Sequence, residues 1–141
     1  MKSQVIILLV FVVQFSMGQT EMTSKTEVIK HADKIMNHFG KAEFKEAFTE
    51  LRKHYLLPEE DFQSIKTVTI TNLKKAQESF GDVIGEVFIK EENIENIALR
   101  RNYLVKYENI LLRFQIVYYK SSQNWQVNSF KWDDEFEVFF K

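Results

Sequence analysis

The chain has 141 residues, a length that suits a single domain. Its 19 basic and 20 acidic side chains give a formal net charge of −1, which argues against non-specific nucleic-acid binding, because such binding depends on a basic surface. The chain has no cysteine, which excludes disulfide bonds, a cysteine nucleophile and a lipid anchor attached through a cysteine.

The N-terminus has the form of a secretory signal peptide, predicted over residues 1–18. Lys2 precedes an apolar run, and the small residues Ser16 and Gly18 occupy the −3 and −1 positions of a cleavage site. The apolar run is too short to span a membrane. A buried N-terminal strand or an uncleaved anchor is the alternative interpretation. We therefore expect a secreted or periplasmic mature domain, residues 19–141, with no membrane span.

Three amphipathic helices are predicted for the first half of the mature chain. The capping box Ser24–Glu27 begins the first helix, and Gly40 is placed to end it. The third helix opens at Pro58 and ends at Gly81. Its β-branched segment Thr67–Thr71 favours a strand locally, but the helical spacing of the surrounding apolar residues favours a helix. The second helix places five apolar or aromatic residues on one side: Phe44, Ala47, Phe48, Leu51 and Tyr55.

A long β-hairpin is the strongest pattern in the second half. Ala98–Tyr107 and Ile110–Tyr119 are rich in β-forming residues and are separated only by Glu108 and Asn109, a two-residue connection typical of hairpins. The predicted pairing puts ten side chains on one face, nine of them apolar or aromatic, and a one-residue slip would invert the pattern. The pairs are Tyr107 with Ile110, Val105 with Leu112, Tyr103 with Phe114, Arg101 with Ile116, and Leu99 with Tyr118.

One further strand is predicted on each side of this hairpin. A strand over Val83–Ile89 precedes it, with Gly85 as a bulge or a point of close backbone approach, and a turn follows at Glu91–Asn93. A turn at Ser121–Asn124 leads into the last strand. Lys120 should then pair with Trp125, and Tyr118 with Val127. A β-bulge near Asn128 and Ser129 is predicted, because it returns Phe130 and Trp132 to the apolar face.

Three helices followed by an antiparallel meander predict an α+β domain. This order, the strand start at Phe80–Asp82 and the ending Asn-Trp-Gln-Val-Asn-Ser-Phe at 124–130 resemble the nuclear transport factor 2-like superfamily over nearly all of residues 23–132. The resemblance implies a cystatin-like cone or roll, in which three N-terminal helices pack on a curved antiparallel sheet around a cavity. It also implies frequent homodimers and functions from ligand binding to isomerase or dehydratase chemistry. A likeness of fold assigns no reaction.

Five inward-facing residues form the candidate ligand pocket. We could identify no inward carboxylate beside them, and Arg101 is the one charge on the apolar hairpin face. Its guanidinium could hold a carboxylate or phosphate through paired N–H donors. The alternative is that it reaches water near the strand end, or pairs with Glu86 or another acid. The five are Arg101, Tyr103, Tyr107, Tyr118 and Trp125.

No metal, cofactor or catalytic residue is predicted. His31 and His38 are about 10.5 Å apart along the first helix, too far to share a metal comfortably. We interpret Glu27 with His31, and Glu50 with His54, as pairs on the helix surface. The acidic residues of 133–137 lack the spacing and glycine of a calcium loop, so a solvated edge is favoured. The sequence contains no glycine-rich phosphate loop, H-E-x-x-H or G-x-S-x-G.

Three functions remain open. The first is an exported module that binds a small apolar or anionic ligand or a protein partner, with a homodimer contact on the outer sheet face. The second is an enzyme of the isomerase or dehydratase type, which a carboxylate or histidine beside Tyr103 or Tyr107 would favour. The third is a structural envelope protein, which a filled interior would favour. The outer-face residues proposed for the dimer are Leu104, Leu111, Val117 and Tyr119.

Overall fold

The computed structural model describes residues 21–141, so the predicted signal peptide lies outside the described residues. Three helices precede a four-stranded antiparallel sheet of order β1-β2-β3-β4, which confirms the α+β class. Within the described range, no helix is long and apolar enough to cross a membrane. The elements are α1 Lys25–Gly40, α2 Phe44–Arg52, α3 Glu59–Phe80, β1 Val83–Ile94, β2 Ala98–Tyr107, β3 Leu111–Ser121, β4 Asn124–Asp133 and the short 3-10 helix η1 Phe136–Phe139.

The β2–β3 hairpin has the predicted register. Tyr103 lies opposite Phe114 and Leu99 opposite Tyr118, while the Tyr107 N–H donates to the Ile110 carbonyl at 2.9 Å. All the apolar partners share the face towards the helices, which we call the inner face. The tight turn and the two-residue alternation together select this register, because any slip would turn the apolar side chains into solvent.

The last two strands pair as predicted, with a bulge that bends β4. Val117 lies opposite Ser129 and Tyr118 opposite Val127, so Asn128 is the extra residue. The bulge turns Phe130 into the core, as expected. Without it, strict alternation would have pointed this ring outwards.

Strand β1 contains the predicted bulge beside Gly85 and a second, unpredicted one between Phe88 and Lys90. Gly85 has φ 146°, a backbone conformation that side chains with a Cβ rarely adopt. The predicted turn at Glu91–Asn93 is wrong, because these residues continue β1, and the chain turns at 95–97. Acidic residues are tolerated in this edge strand because arginines of β2 lie opposite them, which local propensity cannot reveal.

The first and third helices form as predicted, the third of them through its β-branched segment. The second is shorter than predicted: α2 ends at Arg52, so Tyr55 lies beyond it and forms a β-bridge with Val127. In α1, Glu27 N–H donates to Ser24 Oγ, and the Glu27 side chain accepts from the Ser24 N–H, so the capping box is complete. Gly40 is the last residue of α1, where the Glu86 side chain lies too close to leave room for a Cβ. Segment 67–71 is helical, and Thr69 Oγ1 accepts a hydrogen bond from Trp132 Nε1 at 3.3 Å. Tertiary packing of the apolar stripe therefore outweighs local strand propensity.

Aromatic rings fill the space between the helices and the inner face. Phe39 of α1 lies at the centre of this core, fully buried, with its ring centroid 5.0 Å from that of Phe114 and 5.6 Å from that of Phe130. The rings of Phe44 and Phe48 approach it from α2 at 6.3 Å and 5.8 Å. Such tilted, stacked and edge-to-face contacts add to the free energy gained by removing the rings from water.

The opposite, outer face of the sheet is partly covered by the C-terminal segment. Arg113 of β3 donates to both carboxylate oxygens of Asp133, at 2.9 Å and 2.6 Å, where β4 ends. The chain then contacts β3 through η1, and the Phe139 ring lies 5.7 Å from Lys90 Nζ on β1. The half of the outer face nearer the β1–β2 turn carries the exposed side chains Ile94 and Tyr119.

Replacing the central core ring should unfold the domain more easily. We expect Phe39→Ala to lower the free energy of unfolding by about 3–5 kcal/mol, because four ring contacts are lost and a cavity is left. Denaturation by urea would measure it. Phe140→Ala is the matched control, since that ring is 77% exposed, and it should change stability by less than about 0.5 kcal/mol. Equal effects of the two substitutions would contradict this assignment of the core.

Candidate functional site

The five predicted pocket residues all lie on the inner face and are buried. Arg101 and Tyr103 share a hydrogen bond, whereas the other three contact different parts of the molecule. Tyr107 donates to the Leu73 carbonyl of α3 at 3.3 Å, and burial raises its pKa to about 12. The Tyr118 hydroxyl bonds to His31 of α1, and the backbone N–H of Trp125 donates to the Met22 carbonyl. The hydrogen bonds of the five residues therefore reach different elements of the fold.

Arg101 is neutralised by acids of the protein itself. Its Nη1 donates to Glu91 at 2.9 Å and its Nη2 to Asp33 at 3.1 Å, while Nε donates to the Tyr103 hydroxyl at 2.8 Å. The guanidinium also lies 4.2 Å from the centre of the Phe88 ring. Only 6% of this side chain is exposed, so the two carboxylates occupy the positions that an anionic ligand would need.

A carboxylate lies beside Tyr103, where the sequence analysis had identified none. Asp33 Oδ1 accepts from the Tyr103 hydroxyl at 2.8 Å, and burial raises the pKa of that phenol. Glu91 is the second acid that the sequence reasoning missed, because it was assigned to a turn, whereas β1 continues through it and places it opposite Arg101. Asp33 was missed because it lies on the exposed side of α1, where helical spacing predicts a solvated residue.

His31 is a buried histidine, so its interpretation as the surface partner of Glu27 is wrong. Its Nε2 lies 2.8 Å from the Glu50 carbonyl, which can only accept, so Nε2 carries the proton. The neutral ring then accepts at Nδ1 from the Tyr118 hydroxyl, also at 2.8 Å. Burial away from water lowers the pKa of His31 to about 4. Both ring nitrogens are thus committed to protein partners.

The remaining charged candidates have structural partners. Glu27 caps α1, and Glu50 pairs with Lys34 and Lys53 rather than with His54, which corrects the second predicted surface pair. Asp133 and Glu135 both lie within ion-pair distance of Arg113. Among residues 21–141, no group of three or more acidic, histidine or cysteine side chains is arranged to hold a metal ion.

Several depressions open on the surface of the described residues, and four of them have volumes of about 210–380 Å³. One lies at the connection between α2 and α3, and two flank His54 beside the β4 edge. The fourth lies on the outer sheet face at the β1–β2 turn. Trp125 borders one of those beside His54, whereas none of the four is lined by Arg101, Tyr103, Tyr107 or Tyr118.

The fourth depression, which we call the outer-face depression, combines apolar and charged walls. It has a volume of about 270 Å³ and is lined, among others, by Ile94, Ala98 and Val117 together with Glu92 and Arg100. Arg100 Nε and Nη2 donate to the two carboxylate oxygens of Glu92, at 3.0 Å and 2.9 Å. These hydrogen bonds lower the pKa of the Glu92 carboxyl and keep it charged. This depression differs from the interior in being open to a ligand.

Comparison with protein-family models, with curated proteins and with solved structures finds no match to this chain.

The buried His31 should make the domain acid-labile. Its pKa is about 4 in the folded protein against 6.5 for an ordinary histidine, so the unfolded chain takes up a proton before the folded one does. Stability should be greatest above pH 6.5 and fall by up to about 3 kcal/mol as the pH drops to 4. Urea denaturation at several pH values would measure it. In His31→Gln this fall in the free energy of unfolding between pH 6.5 and 4 should disappear. A pH profile identical to that of the wild type would show that His31 does not cause it.

The bridging geometry of Arg101 should require a guanidinium. We expect Arg101→Lys to lower the free energy of unfolding by about 1–3 kcal/mol, because one ammonium cannot replace the three directed hydrogen bonds to Glu91, Asp33 and Tyr103. Urea denaturation would compare it with Lys131→Arg, which exchanges the same two residue types at an exposed position of β4 and for which less than about 0.5 kcal/mol is expected. If the two variants were equally stable, Arg101 would have no bridging role.

Proposed function

We propose that the mature protein, residues 19–141, is an exported binding module that takes a small molecule on the outer face of its sheet. The outer-face depression carries this proposal. It offers an apolar floor, formed by Ile94, Ala98 and Val117, beside a guanidinium whose position is set by Glu92. Ligand sites of this kind combine predominantly apolar walls with a few placed polar groups.

The filled interior supports placing the ligand outside the core. Tyr103, Tyr118 and Trp125 are almost completely buried, and aromatic rings occupy the space between α1 and the sheet. A filled interior is also what a purely structural envelope protein would have. The outer-face depression favours the binding module over that alternative, because a structural role gives no reason for a positioned charge beside an open apolar surface.

We propose further that the fold is a cystatin-like cone or roll and that the chain belongs to the nuclear transport factor 2-like superfamily. Support comes from the order of three helices and a four-stranded meander, and from the bulges beside Gly85 and at Asn128 in long strands. Bulges increase strand bending and twist, which a curved sheet requires. Export to the periplasm or the medium is proposed from the signal-peptide pattern of residues 1–18.

An isomerase or dehydratase activity is the second candidate, and the contact between Asp33 and Tyr103 is the observation that favours it. General acid–base catalysis needs a group that reaches the substrate. The Tyr103 hydroxyl is instead enclosed, donating to Asp33 and accepting from Arg101 Nε, and the Tyr103 residue is 2% exposed. The arrangement is therefore better suited to hold α1 against the sheet than to transfer a proton.

A homodimer through the outer sheet face is compatible with the same proposal. Of its proposed contact residues, Tyr119 is exposed, whereas Leu104, Leu111 and Val117 are half-buried. Ile94 and Ile97 add exposed apolar side chains at the same end of the sheet. Exposed apolar side chains grouped in this way are typical of surfaces that bind ligands or other proteins.

Native mass spectrometry of protein purified from its own host would test the proposed function. Wild-type protein should carry a small bound mass, which Ala98→Phe should lose because the added ring fills the outer-face depression. Lys131→Phe, which adds the same ring elsewhere on the outer face, should keep it. The same spectra report whether the particle is a monomer or a dimer. A bound mass that Ala98→Phe retains, or no bound mass in the wild type, would contradict the proposal.

A further inference from the structure

The guanidinium of Arg100 is held by a connected set of polar side chains on the outer face. Glu92 accepts its Nε and Nη2, and Glu92 Oε1 also accepts from Asn102 Nδ2 at 2.9 Å. Asn102 is fully buried, and its Oδ1 accepts from Gln115 Nε2 at 2.7 Å. These side chains belong to three neighbouring strands: Glu92 to β1, Arg100 and Asn102 to β2, and Gln115 to β3. The sheet therefore fixes the orientation of a charged group that would otherwise move freely in solvent.

This arrangement leaves one edge of the guanidinium available. An arginine presents five N–H donors, and Glu92 takes those along the Nε–Nη2 edge. Among the described residues, Arg100 Nη1 donates to no protein acceptor, and 45% of the Arg100 side chain is exposed. The edge formed by Nη1 and Nη2 can thus receive a second carboxylate through two parallel hydrogen bonds.

The charge around the depression also favours an anion. Lys90 Nζ lies 4.0 Å from Glu92 Oε2, so two cations, Lys90 and Arg100, face the single carboxylate of Glu92. On the inner face the charge balance is reversed, because the single guanidinium of Arg101 faces two carboxylates. The outer site thus has an excess positive charge that a bound anion would neutralise.

The apolar part of the depression indicates what accompanies that anion. Ile94 is 66% exposed, and Ala98 and Val117 are half-buried beside it. At about 270 Å³ the depression is slightly smaller than the usual range of ligand pockets, which begins at about 300 Å³. It suits a short aliphatic chain better than a polycyclic molecule or a nucleotide.

We infer that the outer-face depression binds a small aliphatic carboxylate, with the carboxylate on the free edge of Arg100 and the chain against Ile94, Ala98 and Val117. The inference rests on the proposed function and specifies the chemical class of its ligand. A neutral amphiphile of the same shape would gain only the apolar contacts, so it should bind more weakly.

Octanoate and its neutral isostere octanamide provide the test, added to purified mature protein below the micelle-forming concentration of octanoate and followed by NMR titration. Wild-type protein should bind octanoate about tenfold more tightly than octanamide, as expected for the loss of one charge-assisted contact. Arg100→Gln should reduce octanoate binding to the octanamide level. Lys131→Gln removes another outer-face cation and should leave the preference intact. Ala98→Phe should abolish binding of both compounds.

Equal affinities of wild-type protein for the two compounds would overturn the inference, whether or not the Arg100 variant folds. Octanoate binding that survives Arg100→Gln unchanged would overturn it as well. The proposed function fails separately. If a co-purified mass is lost in Ala98→Phe but octanoate shows no preference, the site binds another class of ligand. If neither a co-purified mass nor octanoate binding is found, both proposals are wrong.

Discussion

The pairing of β2 with β3 is the constraint on which the rest of the structure depends. It creates the apolar inner face on which α1 and α2 pack, and its turn is bonded to the end of the helical layer. The Asn109 N–H and side-chain amide both donate to the Phe80 carbonyl, at 2.9 Å and 3.1 Å, and the Glu108 N–H donates to the Asp82 carbonyl. The hairpin thus also satisfies a carbonyl at the C-terminal end of α3, a group that lacks a helical partner.

Two adjacent arginines show how one strand pairing can serve two purposes. Arg100 and Arg101 point to opposite faces of β2, and each lies opposite an acid of β1, Glu92 or Glu91. On the inner face α1 adds Asp33, and the guanidinium becomes a buried link between helix and sheet. On the outer face none of the described α-helices covers the pair, so a similar contact leaves one edge of the Arg100 guanidinium exposed. The element that packs over each arginine therefore decides whether its guanidinium is buried or exposed.

Packed aromatic rings and hydrogen-bonded polar groups make up the interior of the domain. Large aromatic rings meet at its centre. His31 bonds to the Tyr118 hydroxyl and to the Glu50 carbonyl, and the Tyr103 hydroxyl bonds to Asp33 and Arg101. Among the described residues, no buried side-chain nitrogen or oxygen atom lacks a hydrogen-bond partner.

The amino-acid sequence by itself determined the helices, the hairpin register and the bulge at Asn128, because each depends on nearby residues: caps, turn residues and the alternation of apolar side chains. It also singled out Arg101 as an anomaly on an apolar face. Only the tertiary structure decided that Asp33 and Glu91 neutralise it, that His31 is buried, and that the chain continues as a strand through Glu92. These outcomes depend on residues distant in sequence, and the energy of a buried charge is set by the partners that the fold brings to it.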